Sequence, residues 1–198
     1  MNKNNNFLNK KNLMHQYIYD IKNKKIKKDL DLAYSKIPNL WFDQINPDNL
    51  RYNYIVGDIL SSVFFKKKIT KVLDIGSGYG LFPNYLNRFK GLKANGIEVS
   101  KYAINKGKKK FKYKNIDFGD ICDIGFNKKT KFDIITIIGV FWFMINDFKI
   151  CCKNLKKILK KNSKIYFQIN IPKDNNMFSK KIKNEKDLFR FMRKFFYI

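Results

Sequence analysis

The chain has 198 residues, of which 42 are Lys or Arg and 16 are Asp or Glu, giving a formal net charge of +26. That length supports one core of ordinary size and excludes two typical enzymatic domains. Apolar residues at 44% and aromatic residues at 16% exclude a mostly disordered chain, even with 29% charged residues.

The longest apolar stretch, residues 134–145 broken only by Thr136 and Gly139, is shorter than the roughly 20 residues that a membrane helix needs. The amino-terminal run MNKNNNFLNKKN lacks the apolar segment of a secretory signal, so a cytoplasmic setting is the expectation. Cys122, Cys151 and Cys152 make no CxxC pair and His15 is the one histidine, so neither a zinc site nor a disulfide framework is expected. The basic charge is built from lysine, with only Arg51, Arg88, Arg190 and Arg193 as arginine. Arginine is the side chain that favours bidentate recognition of phosphate and guanine. Together with abundant Asn, Ile, Phe and Tyr, the lysines match A/T-rich codon usage. An anionic partner such as RNA stays open as the second explanation of the charge.

In chain order, residues 1–12 form a polar, frayed run, and helical spacing of Leu13, Tyr17, Ile18, Ile21 and Ile26 predicts a helical preamble over 13–34. After Pro38 and Pro47, Asp48 is placed to cap a helix carrying Leu50, Tyr54, Ile55, Ile59 and Val63. Beyond residue 66 the pattern changes to short apolar strands alternating with amphipathic helices. The strands are KVLDI, LKANGIEV, YKNIDF, FDIITIIGV and KIYFQINI; the helices are 81–89, 101–110, 147–160 and a final one over 185–196. This alternation predicts βαβ units around a parallel sheet, with FDIITIIGV as a central strand covered on both faces. The expected division is an amino-terminal tail with a helical lid or extension over 1–66, followed by an α/β domain over 67–198.

The most informative segment is Val72-Leu73-Asp74-Ile75-Gly76-Ser77-Gly78-Tyr79-Gly80, a strand that ends in a glycine-rich turn and opens a helix. Such a turn lets a small charged ligand lie against bare backbone. The dinucleotide fingerprint GxGxxG fails because Leu81 stands at its third glycine position, and no GxxxxGK[ST] phosphate loop occurs. A ligand-free tight turn is the bland alternative.

The segment resembles motif I of the class I S-adenosylmethionine-dependent methyltransferases, an acidic residue followed by GxGxG. The resemblance implies a Rossmann-like fold with a mostly parallel central sheet flanked by helices. It also implies S-adenosylmethionine as cofactor, with Asp74, Gly76, Ser77, Gly78 and Gly80 at its methionine end. Glu98 in GIEVS, with Val99 beside it, matches the family's carboxylate for the ribose hydroxyls, and an ionised carboxylate has the two oxygens that a vicinal diol requires. Asp120 and Ile121 in FGDICDI match the adenine position. The alternatives are a solvated strand-end Glu98 and a turn-capping Asp120. The resemblance runs from about residue 71 to 171. Because only residues 172–198 follow, the family's terminal antiparallel strands are not expected, which leaves a shortened carboxyl-terminal end with the fifth strand at the edge. The final basic amphipathic helix is read as a cover for the sheet, with peripheral membrane contact as the alternative.

Ahead of motif I, Trp41-Phe42-Asp43, Ile45-Asn46-Pro47 and Leu50-Arg51-Tyr52-Asn53-Tyr54-Ile55 are similar to the ubiquinone-biosynthesis O-methyltransferases, which methylate polyprenylated catechols. A generic lid helix with an Asn-Pro start is the alternative. Where that family has a metal-associated Glu-His pair, this chain has Phe141-Trp142-Phe143-Met144, so metal-assisted deprotonation is not carried over. The implied function is methyl transfer to a small-molecule acceptor, with a quinone-precursor hydroxyl as the specific candidate. An RNA methyltransferase and a non-catalytic binding relative are the rival readings. No catalytic base is identified, and His15 is placed in the preamble as a packing or surface residue.

Overall fold

A computed structural model describes residues 13–14, 16–20, 25–26, 29–41, 50–63, 68–171 and 182–197. It begins with a short antiparallel pair, β1 (Tyr19–Asp20) and β2 (Lys25–Ile26), then α1 (Leu30–Lys36) and α2 (Leu50–Val63). The α/β part follows as β3 (Thr70–Ile75), α3 (Leu81–Leu86), β4 (Leu92–Glu98), α4 (Lys101–Lys110), β5 (Ile116–Phe118) and β6 (Phe132–Ile138). It closes with α5 (Phe141–Met144), a 3-10 turn at Ile145–Asp147, α6 (Phe148–Ile158), β7 (Leu159–Gln168) and α7 (Glu185–Met192).

The five long-range strands pair in the order β5-β4-β3-β6-β7, and every pairing is parallel. Alternate side chains explain the two-sided core, since successive strand residues point to opposite faces. Val72, Ala94 and Ile134 pack on one face against Tyr52, Val56 and Ile59 of α2 and Phe82 and Leu86 of α3. Leu73, Ile75, Ile97, Ile135 and Ile137 pack on the other against Phe148, Cys151, Leu155 and Ile158 of α6. That second face also receives Leu188, Phe191 and Met192 of α7, with Phe195 and Phe196 just beyond, so the terminal helix covers the sheet as expected. Among the described residues β7 is an edge strand.

Three expectations need correction. The preamble is not one helix over 13–34. Residues 19–20 and 25–26 pair as strands, and α1 starts afresh where Asp29 Oδ1 accepts from the Leu32 amide at 2.9 Å. The fifth strand begins at Leu159 rather than near 164, directly after α6, with Asn162 at φ 60° and a register shift between Phe132 and Ile134. Cys122 and Cys151, 29 residues apart, form a disulfide. Sequence spacing gave no sign of it because the β5–β6 loop and α6 meet only after the sheet has formed. His15, the 1–12 run and residues 42–49 lie outside the described residues.

Candidate functional site

A pocket opens at the carboxyl ends of the parallel strands, where open α/β sheets place their ligands. Gly76 lines it from β3, Glu98 and Val99 from β4, Gly119 to Cys122 from the loop after β5, Ile138 to Val140 from β6, and Gln168 from β7. Leu30 and Tyr34 of α1, Trp41, Tyr52 of α2 and Phe143 of α5 complete the wall.

The glycine turn is held through its backbone amides. Gly76 and Ser77 amides both donate to Ile97 O, at 2.9 and 3.0 Å, which ties the turn to the end of β4. Gly76, Gly78 and Gly80 have φ of 70°, 57° and 84°, the left-handed region that favours glycine. At Gly76 a Cβ would stand 2.5 Å from Val140 Cγ1, and at Gly80 it would overlap Ile116, so both positions exclude a side chain.

Glu98 is 3% exposed, with Oε2 accepting from the Gly78 amide at 2.7 Å and Oε1 from the Val99 and Ser100 amides at 2.9 Å each. Burial pushes this carboxyl above its ordinary pKa, against the pull of those three amides. Three of about four lone-pair positions are thereby used, and the open one lies on Oε2. Asp120 lines the pocket and is exposed; its Oδ1 accepts from the Cys122 amide at 2.8 Å. Buried Asn154 of α6 donates to Ile121 O at 2.9 Å and Asp123 O at 2.7 Å. With the Cys122–Cys151 bond on the same helix, these contacts fix the loop that carries Asp120 and Ile121.

The structure gathers Gly76, Glu98, Val99, Asp120 and Ile121 on one wall, while Asp74, Ser77, Gly78 and Gly80 do not line it. Asp74 is 4% exposed beneath the turn, where its Oδ1 accepts from Thr136 Oγ1 at 2.7 Å. Burial raises its pKa to about 7, the Thr136 bond opposing and Glu98 adding to the rise. Ser77 packs its Oγ against Gly96, and Gly78 acts through its amide on Glu98. The aromatic run divides: Phe141 and Trp142 belong to the core and Phe143 faces the pocket.

Sequence reasoning missed Tyr34, Asp147 and Gln168. The available signal for Gln168 was its polar character at the carboxyl end of a parallel strand. Tyr34 and Trp41 have ring centroids 5.4 Å apart, and Trp41 and Phe143 5.8 Å, both edge to face. Asp31 of α1 holds this group over the sheet, its Oδ1 accepting from Ser100 Oγ at 2.7 Å and the Tyr102 amide at 2.9 Å. The wall has an electrostatic character opposite to that of the whole chain. Glu98, Asp120 and Asp147 line it, and no Lys or Arg does among the described residues, although the chain carries +26.

Residues 73–167 match the family described as "Methyltransferase domain". The fold is similar to that of a TehB-like SAM-dependent methyltransferase from Corynebacterium glutamicum (20% identity, 71% of this chain and 73% of that one, TM-score 0.53). It is also similar to an S-adenosylmethionine-dependent methyltransferase from Clostridium acetobutylicum (24% identity, 70% and 58%, TM-score 0.52). A third similar structure is the plantazolicin methyltransferase BpumL in complex with a pentazolic desmethylPZN analog and SAH (21% identity, 88% and 77%, TM-score 0.60). No curated protein sequence matches the chain. The matched segment is similar to a methyltransferase domain, and the solved structures share its fold. The parallel sheet in the order β5-β4-β3-β6-β7, flanked by helices, is the Rossmann-like fold of those structures.

Proposed function

We propose that this chain transfers the methyl group of S-adenosylmethionine to a small, largely apolar acceptor, with a ring hydroxyl of a quinone precursor as the specific candidate. The observation that carries this reading is a pocket lined by carboxylates, with no Lys or Arg among the described residues of its wall, in a strongly basic chain. S-adenosylmethionine is a sulfonium cation, so carboxylates and aromatic faces favour it, whereas a dinucleotide's phosphates would meet repulsion. Bound there, it supplies an electrophilic methyl group.

In this reading Gly76 gives the methionine end bare backbone, and the Gly76–Gly80 turn, with Ser77 and Gly78, is kept in place from below by Asp74. Glu98, with Val99, meets the ribose through its open Oε2 position, and Asp120 and Ile121 flank the adenine. Residues 1–66 act as the lid or extension of a domain over 67–198, and the protein works in the cytoplasm. The acceptor end is then Tyr34, Trp41, Tyr52, Phe143 and Ile138. Such a wall recognises apolar area and positions the nucleophile, which is most of what an in-line displacement requires. An RNA substrate gains no support from a pocket wall with no Lys or Arg among the described residues.

Calorimetry with S-adenosylmethionine, its demethylated product SAH and NAD tests the cofactor half, with micromolar binding of the first two and none of comparable strength for NAD as the expected result. Labelled donor incubated with polyprenylated catechols, with and without chelator, tests the acceptor half. Transfer that survives the chelator is the expected outcome. Transfer to RNA alone, with preference for one sequence at physiological salt, would replace this acceptor with the RNA reading. Cofactor binding without turnover on any fraction would support a non-catalytic relative.

A further inference from the structure

We infer that Gln168 is a positioning residue for the methyl acceptor, its Oε1 accepting a hydrogen bond from an N–H or O–H carried by the acceptor's nucleophilic atom. The inference rests on the reading of this pocket as a methyl-transfer site and narrows the acceptor to nucleophiles that bear a hydrogen.

Three observations converge on that one atom. Gln168 is the last residue of β7 and lines the pocket, at the strand ends where ligands are held. Its amide is oriented, because Nε2 donates to Asn170 Oδ1 at 2.8 Å and the residue's own carbonyl accepts from the Gly139 amide at 3.0 Å. Yet Oε1 is buried without a hydrogen-bond partner among the described residues. Folded proteins rarely leave a buried amide oxygen unsatisfied, and where they do a functional reason is sought. Ser77 Oγ shares this condition, but it lies on Gly96 away from the pocket wall.

The neighbouring backbone keeps room beside the oxygen. Gly139 also lines the pocket, at φ 71°, and a Cβ there would meet only Gln168 Oε1, at 4.0 Å. Glycine at this position puts no side chain against the acceptor, on a wall that also holds Ile138, Val140, Tyr52 and Phe143. A nucleophile that donates to Oε1 is held with its lone pair free to face another direction. An amide oxygen is too weak a base to take the proton, so its contribution is orientation and selection. A carboxylate acceptor or a fully substituted amine brings no hydrogen to this atom and would leave it unpaired, which is how polar sites reject close analogues.

The test uses 4-octylphenol and 4-octylanisole, which share ring and tail and carry a hydrogen and a methyl group respectively on the ring oxygen, bound to the full chain in the presence of saturating SAH. Wild type is expected to prefer the phenol by about tenfold, the scale of one hydrogen bond to a buried acceptor. Gln168→Met removes that acceptor and should shrink the preference to twofold or less, with SAH affinity unchanged. Gln168→Glu retains an acceptor and should restore the preference. Without ligand, Gln168→Met should lower Tm no further than Asn170→Ala, which removes only the partner of Nε2, because nothing is bonded to Oε1. A preference that survives Gln168→Met, or a fall in Tm of the unliganded variant clearly beyond that of Asn170→Ala, would overturn the inference by showing that the oxygen serves the fold. If SAH binds wild type and neither probe does, the inference also falls while the cofactor reading stands. If SAH itself fails to bind, the methyl-transfer reading falls first and takes the inference with it.

Discussion

The two ends of the pocket are built by opposite means. The end proposed for the cofactor is shaped by backbone: a turn of glycines at positive φ, amides gathered on Glu98, and a loop tied to α6 by Asn154 and the Cys122–Cys151 bond. The end proposed for the acceptor is shaped by side chains contributed from α1, α2 and α5, namely Tyr34, Tyr52 and Phe143, together with Trp41. Backbone recognition tolerates few residue types, because most side chains would collide with the turn or distort its dihedrals. Side-chain recognition needs only apolar bulk in roughly the right place. The first end is therefore constrained by geometry and the second by composition, and substitutions should hurt them differently.

The largest expected effect concerns the buried carboxyl beneath the turn. Asp74 titrates near pH 7 in the folded chain and near 4 in an unfolded one. Between those values the folded state binds the extra proton, so stability is highest below pH 4 on this residue's account and is lost as pH rises towards 7. Glu98 shifts in the same direction and adds to the loss. A shift of this size corresponds to on the order of 4 kcal/mol. Asp74→Asn keeps an acceptor for Thr136 and removes the titration, so its denaturation midpoint should gain on wild type steadily from pH 5 to pH 8. A gap that stays constant with pH would mean that Asp74 remains ionised throughout that range.

Gly80→Ala comes next. It combines a left-handed φ of 84° with overlap on Ile116, for about 2–4 kcal/mol from backbone strain and overpacking together. Thermal unfolding should show Tm lower by roughly 5–15 °C. The same change at Gly57, which has nothing within 4 Å in the exposed middle of α2, should be neutral or stabilising. Equal effects at the two sites would remove the argument that the turn is fixed by sterics.

Glu98→Ala follows, and it separates the two ends by ligand. Hydrogen bonds to a charged group contribute roughly 1.5–3 kcal/mol, so SAH affinity should fall about ten- to hundredfold in calorimetry. Phe143→Leu, at the other end, should leave SAH affinity within about twofold and act on the acceptor instead, since it keeps an apolar side chain and removes the aromatic face. A large loss of SAH binding in Phe143→Leu would mean that the boundary between the two ends is misplaced.

The same contrast explains what was legible in the sequence. Strand β6 announces itself because both faces of a parallel strand are buried and its apolar run is nearly continuous, β3 and β4 are legible as short apolar segments between amphipathic helices, and the turn after β3 is marked by its three alternating glycines. Glu98 and Asp120 were legible by their positions at strand ends. The hairpin of Tyr19 and Ile26 was not, because two-residue strands carry no period and the apolar spacing of 13–34 fits a helix equally well. Gln168 was not singled out, because a glutamine's role there depends on the bare Gly139 beside it, and β6 and β7 meet only in the folded sheet. The disulfide was illegible for the same reason.

The smallest expected effect lies at the seam between the two ends. Asp31 belongs to α1, yet its Oδ1 takes the Ser100 hydroxyl and the Tyr102 amide at the start of α4, directly after the strand that carries Glu98. It serves that helix as a second amino-terminal cap from outside, and loss of a cap costs about 1 kcal/mol. Being exposed, it can be replaced without opening the core. Because α1 carries Leu30 and Tyr34 on the pocket wall, loosening this tie should weaken SAH binding by about two- to fivefold in Asp31→Ala, while Asp31→Asn keeps the accepting oxygen and most of the affinity. A lower Tm in Asp31→Ala with unchanged SAH affinity would show that the tie holds α1 to the domain without shaping the cofactor end, and the wall formed by Tyr34 would then belong to the acceptor alone.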